Sequence, residues 1–144
     1  MAAITVNVMA LVDGVMVSLD CTNARALAEF WAGMLDGEIA FTTAAGTVGV
    51  RTDWIWIAAI EVADYTPPTW PDPAVPKQIH LDLGVADQDV LEGATAHALD
   101  LGARLADHQP APQKRRILLD PAGHPFCLTT QMPPQARAAE HDRS

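Results

Sequence analysis

Between Ala63 and Pro76 the chain reads ADYTPPTWPDPAVP, with prolines at 67, 68, 71, 73 and 76. Proline has no backbone donor and a fixed φ, so this run enters neither a helix interior nor a central strand. It divides the chain into two halves, and the halves repeat one order of periods. In the first, Val15, Val17, Leu19 and Cys21 alternate with Met16, Ser18 and Asp20, the pattern of a strand with one buried face. Thr22 or Asn23 offers an N-cap; Leu27, Phe30, Trp31, Met34 and Leu35 then recur at helical spacing, with Gly37 as C-cap. Strand-like runs follow at 38–43, 46–51 and 53–62.

The second half begins again at residues 77–85, where Ile79, Leu81 and Leu83 fall on one face and His80 and Asp82 on the other. Asp87 is the expected N-cap of a helix carrying Val90, Leu91, Ala94, Ala98 and Leu101 and closed by Gly102. Strands are expected at 103–108, 114–120 and 126–132. Strand, helix and three strands thus occur twice. The expectation is an α+β chain with an N-terminal extension at 1–13, one domain at 14–132 and a loose tail at 133–144. Within the domain, module one spans 14–62, the linker 63–76 and module two 77–132.

A chain of 144 residues, 49% of them hydrophobic, is large enough for one domain with a core. The net charge of −9 argues against nucleic acid or an anionic membrane as partner, since both select basic surfaces. The two cysteines form no C-x-x-C pair, as in a reduced protein. The first fourteen residues, MAAITVNVMALVDG, are apolar but carry no Lys or Arg and no run of membrane-spanning length. A cytoplasmic location is expected.

Four stretches together carry a family resemblance: LDCTNARALAEFWAGMLDGE, DYTPPTWPDPAVPKQIHLDL, LDLGAR and LLDPAGHPFCL. They resemble the glyoxalase-like branch of the vicinal oxygen chelate superfamily, which includes glyoxalase I, bleomycin-resistance proteins and extradiol dioxygenases. The resemblance covers roughly residues 14–132. It implies two βαβββ modules forming a half-open barrel whose concave face holds the ligand. In metal-dependent members four side chains, two per module, bind a divalent ion. The matching positions here are Met16, Ile60, His80 and Cys127. Met16 is a soft thioether and Ile60 has no donor, so at most two ligands survive where a catalytic metal takes about three. No metal or other cofactor is expected, unless a one-residue slip of the last strand of module one brings Glu61 to the Ile60 position.

Strand parity places Met16, Ser18 and Asp20 on the cavity side with His80 and Asp82. Trp54, Trp56 and Ala58 join by parity with Ile60, and Thr129 by parity with Cys127. Such a lining of aromatics with a few polar handles suits a small organic ligand. His80 is the candidate acid–base group, with Asp82 or Asp20 to orient it; equally, it is a structural histidine in a wet cleft. Ser18, His80 and Asp82 invite a hydrolase triad, but no G-x-S-x-G elbow is present. Cys127 is either a nucleophile or a small core residue, and the tryptophans either cavity wall or core.

Three functions follow from these residues taken with the resemblance. The first is a metal-independent isomerase, cyclase or lyase using His80. The second is a sequestering protein of bleomycin-resistance type. The third is a metal-dependent glyoxalase or dioxygenase. The resemblance implies a homodimer, since small members of that superfamily commonly close the open face by pairing, with the run 4–11 as part of the interface.

Overall fold

One element order, run through twice, accounts for the regular structure of residues 11–137, the span that the structure, a computed structural model, describes. Module one consists of β1 (Met16–Cys21), α1 (Ala24–Met34), β2 (Glu38–Thr42), β3 (Thr47–Arg51) and β4 (Trp56–Glu61). Module two consists of β5 (Leu81–Gly84), α2 (Gln88–Leu101), β6 (Arg104–Leu105), β7 (Arg115–Leu119) and β8 (Pro125–Thr129). Each forms a four-stranded sheet, in the orders β1-β4-β3-β2 and β5-β8-β7-β6. The helix after the first strand carries the chain across, so β1 pairs parallel with β4 and β5 with β8; the remaining pairings are antiparallel. The fold is α+β, two βαβββ modules whose sheets do not close on each other, as in a half-open barrel.

Both helices start where their caps dictate. The Asn23 side chain accepts from the Ala26 N–H and the Asp87 side chain from the Val90 N–H. Gly102 closes α2 in the left-handed conformation. The end of α1 differs from expectation. Its C-cap is Leu35, and Asp36 takes the left-handed turn at φ 50°. Gly37 is needed there for another reason: a Cβ on it would stand 2.4 Å from the Arg51 carbonyl oxygen.

The inner faces of both sheets and both helices share one core. Leu27, Phe30 and Trp31 of α1 lie in it with Ile57 and Ala59 of β4, Leu91 and Ala98 of α2, and Phe126 and Leu128 of β8. Phe30, Trp31 and Phe126 meet edge to face at centroid separations of 5.1–5.8 Å, beyond what sequence distance alone suggests. Trp31 Nε1 also donates to Asp120 Oδ2 at 3.1 Å. Asp120 Oδ1 accepts from the Ala122 and His124 N–H groups, which folds the DPAGHP turn around a buried carboxylate. His97 Nε2 donates to the Gly33 carbonyl and His124 Nε2 to the Asp20 carbonyl, two further ties between the modules. His124 therefore bonds across the seam.

Module two is shorter in strand than expected. β6 stops after two residues because the Gln109 side chain takes over the pairing: its amide donates to the Ala106 and Ile117 carbonyls and accepts from the Ile117 N–H. β5 begins at Leu81, so His80 precedes the strand. Past β8, a 3-10 turn spans Pro134–Ala136, and Arg137 donates to the Val85 carbonyl. Of the run 4–11 expected at an interface, only Leu11 is among the described residues, and tail residues 138–144 lie outside them. Among the described residues no helix is long and apolar enough to cross a membrane.

Candidate functional site

Each sheet has a second face, turned away from the helices. On β1 the burial alternates: Leu19 and Cys21 enter the core, while Met16, Ser18 and Asp20 are exposed, Met16 by 49%. Residues in register share a face, so Trp56, Ala58 and Ile60 of β4 lie beside those three, and Arg51, Gly49 and Thr47 of β3 beside them in turn. No slip restores Glu61: the register keeps Ile60 on the open face, paired with Asp20. Trp54 falls outside this row. It sits in the turn before β4, where Thr52 Oγ1 accepts from the Trp54 and Ile55 N–H groups and donates to the Ile55 carbonyl. Strand parity therefore does not extend to Trp54, which is 48% exposed.

Phe41 takes the place on the open face that the sequence did not assign. The β2–β3 register shifts between Ile39 and Phe41, which puts Phe41 opposite Gly49. Its ring lies flat across the glycine: a Cβ there would be 2.1 Å from Phe41 Cε1. The ring stacks on Trp56 at a centroid distance of 6.4 Å and an interplanar angle of 23°. The open face of module one is thus an apolar, two-ring platform edged by Ser18 and Asp20.

The open face of module two is polar. Asp82 pairs with Cys127 and Gly84 with Thr129; Ile117 and Arg115 of β7 continue the row. His80, two residues before Asp82, keeps the same side, with Nε2 3.3 Å from Asp82 Oδ1. The donor atoms of His80, Asp82 and Cys127 all lie within 4.8 Å of one another. Burial pushes the Cys127 thiol above its usual pKa; the Asp82 charge and the hydrogen bond to its carboxylate add to this, while Lys77 and Arg115 oppose it. The thiol is a protonated donor to Asp82, not an activated nucleophile.

The linker covers part of this face. Thr69 ties residues 69–75 into a knot through hydrogen bonds to Asp72 and Val75. The knot sets Trp70 against a small second core of Ala106, Ile117 and Cys127. Lys77 Nζ stands 4.8 Å from the centroid of the Trp70 ring, and His108 meets it edge-on at 5.7 Å.

The structure therefore brings together His80, Asp82, Cys127 and Thr129 on one face, and Met16, Ser18, Asp20, Trp56 and Ile60 on the other. No hydrogen bond joins Ser18 or Asp20 to His80 among the described residues, so the hydrolase triad does not form, and Asp82 is the carboxylate at the imidazole. A cleft of about 220 Å³ at the seam, lined by Cys21, Asn23, Tyr65, Pro67 and Ala122, holds no free reactive group. Burial raises the Cys21 thiol to about 11 and the Tyr65 phenol to about 12, and that phenol already donates to the Ala122 carbonyl.

The four positions that the resemblance assigns to a metal hold a thioether, an alkyl chain, an imidazole and a thiol. A hard cation such as manganese or magnesium takes oxygen and imidazole donors. These four side chains do not fit one.

A model of the glyoxalase-like domain matches residues 16–129. No curated protein matches the sequence. Among solved structures, a mutant of the fosfomycin resistance protein FosX from Listeria monocytogenes, complexed with Mn(II) and 1S,2S-dihydroxypropylphosphonic acid, superposes with a TM-score of 0.65 at 15% identity. That match covers 88% of this chain and 96% of the other. FosX from Mesorhizobium loti gives 0.63 at 13% identity, covering 92% and 98%. A hypothetical protein from S. aureus gives 0.61 at 14% identity, covering 83% and 98%. At these identities the likeness is one of fold.

Proposed function

We propose, from the premise that the chain belongs to the glyoxalase-like domain family, that it binds a small organic molecule on its open sheet faces and acts on it by proton transfer at His80, without a metal in the step. The observation that carries this reading is the His80–Asp82 pair, 3.3 Å apart on a half-open polar face. Asp82 fixes His80 through Nε2, and Nδ1 is the atom that takes a proton from one position of the substrate and returns it at another. That is the work of an isomerase, cyclase or lyase. The Phe41–Trp56 platform supplies apolar contact for a conjugated or ring-bearing ligand.

The same platform supports a second reading, a protein that sequesters its ligand in the manner of bleomycin-resistance members. His80→Ala separates the two once a ligand has been found by a thermal-shift screen of small organic molecules. Under the enzyme reading turnover falls by about 10²–10⁴-fold while binding persists. A protein with no turnover of any ligand, and only a changed affinity in His80→Ala, sequesters. The exposure of Met16, Phe41, His80 and Asp82 on the outer faces of one chain further supports a two-fold homodimer that covers them. A one-chain sedimentation mass at micromolar concentration would count against that assembly.

A further inference from the structure

The chain carries 18 Asp and Glu against 9 Lys and Arg, yet two of those cations stand on the open face of module two. Arg115 is in register with Thr129, two residues along from the Ile117–Cys127 pair, so its side chain leaves β7 on the open side. It is half-buried, and among the described residues its guanidinium meets no carboxylate, whereas Arg25, Arg51 and Arg116 each meet a glutamate. Lys77 meets none either: its ammonium stands over the Trp70 ring. Thr129 is 9% exposed; its Oγ1 accepts from the Gln131 N–H, and its own proton has no acceptor among the described residues. We propose that Arg115, Lys77 and the Thr129 hydroxyl form a subsite for a carboxylate, so that the molecule taken up on this face is a monoanionic organic acid. This deepens the reading above and rests on its placing of the ligand on the open faces.

A half-buried guanidinium with no counter-ion has given up hydration and gained nothing for it. A carboxylate supplies the missing charge and offers two oxygens to the planar fork. The Thr129 hydroxyl, on the residue paired with Arg115, adds a donor beside it. Burial raises the Cys127 thiol, and Lys77 and Arg115 oppose it, which puts both charges near the middle of the face. Asp82 is the carboxylate already there. It stands two strands across and two residues along from Arg115, about 12 Å between Cα atoms, and is held by His80. Two cations and one carboxylate leave one positive charge. A monoanion balances it; a dianionic phosphonate would leave the face negative. The walls beside the subsite are apolar. Met132 lies over Gly84, where a Cβ would be 3.0 Å from Met132 Cβ, and Trp70 covers Ile117 and Cys127. An acid held at Arg115 extends past these walls toward His80, where proton transfer takes place.

The test is calorimetric titration of the full chain with benzoate, cinnamate and 2-naphthoate, each against its own primary amide. At least one acid should bind, and its amide about 10–100-fold more weakly, the scale of a hydrogen bond to a charged group. Arg115→Gln should weaken the acid by the same factor and leave the amide as it was. Thr129→Val should cost the acid about 3–10-fold, the scale of one neutral hydrogen bond. Arg115→Lys, which keeps the charge and loses the fork, should fall between Arg115→Gln and the parent chain; it carries the test if Arg115→Gln does not fold. Arg25→Gln removes a cation from the exposed side of α1 and should change nothing. Amides that bind as well as acids, an acid that binds Arg115→Gln as tightly as the parent chain, a phenylphosphonate dianion that binds more tightly than benzoate, or no acid bound at all each overturns the subsite. The acid–base reading fails separately. A chain that binds the acid through Arg115 and converts nothing keeps the subsite and loses that reading; amides bound as well as acids remove the subsite and leave an organic ligand on the open face.

Discussion

The open faces of the two sheets share a strand order and differ in nearly every side chain. Module one offers Met16, Phe41, Trp56, Ala58 and Ile60, an apolar floor with the Phe41 ring lying over Gly49 and stacked on Trp56. Module two offers His80, Asp82, Cys127, Thr129 and Arg115, a polar floor partly roofed by Trp70. On the inner faces this contrast vanishes: both sheets present aliphatic and aromatic residues to one common core. Stability thus resides on the sides that the modules share, and the candidate site on the sides where they diverge.

That contrast can be broken from the inside first. Asp120→Ala leaves the N–H groups of Trp31, Ala122 and His124 without their acceptor in a buried place. At about 1–3 kcal/mol for each unsatisfied group, the loss should be about 3 kcal/mol or more, read from urea unfolding. On the open face of module one, Gly49→Ala forces the Phe41 ring off its seat and should cost about 1–3 kcal/mol, as overpacking does. The near-ultraviolet circular dichroism of the Phe41–Trp56 stack should change with it; an unchanged spectrum would mean that the platform does not form. On the open face of module two, His80→Ala should move stability by no more than about 0.5 kcal/mol. A loss as large as that of Asp120→Ala would make His80 a core residue and erase the distinction between the two sides.

The smallest effect expected is one of pH. Burial holds the Asp120 carboxyl above its ordinary 3.8, against the pull of His124 and the three N–H donors. Between 3.8 and the raised value the folded chain keeps a proton that the unfolded chain has lost. The contribution of Asp120 to stability therefore falls as pH rises through that window and is level above it. Asp120→Asn, measured against the parent chain, should remove this slope; a slope of opposite sign would mean that the donors outweigh burial.

Much of this was legible in the sequence because strand parity and capping are local. The outward positions of Met16, Ser18, Asp20, Asp82, Cys127 and Thr129, and the caps at Asn23 and Asp87, follow from residues within a few places of each other. Phe41 was not legible, because alternation from Ile39 assigns it to the inner face until a bulge intervenes. Trp54 was misplaced because Thr52 folds a turn that delays the start of β4. The face onto which Trp70 folds depends on the knot that Thr69 ties and was not legible. The partnership of Trp31 with Asp120 spans 89 positions, and no local pattern announces it. The grouping of His80, Asp82 and Cys127 was visible as parity; its tightness was not.

The bulge in β2 bears on how such a pocket changes over generations. Loops around the sheets can gain or lose a residue and leave both floors as they are. One surplus residue at Ala40, between Ile39 and Phe41, instead decides which side chains beyond it face outward. Descent by insertion or deletion within an edge strand thus exchanges the lining of the floor in one event, with every codon for the new lining already in place.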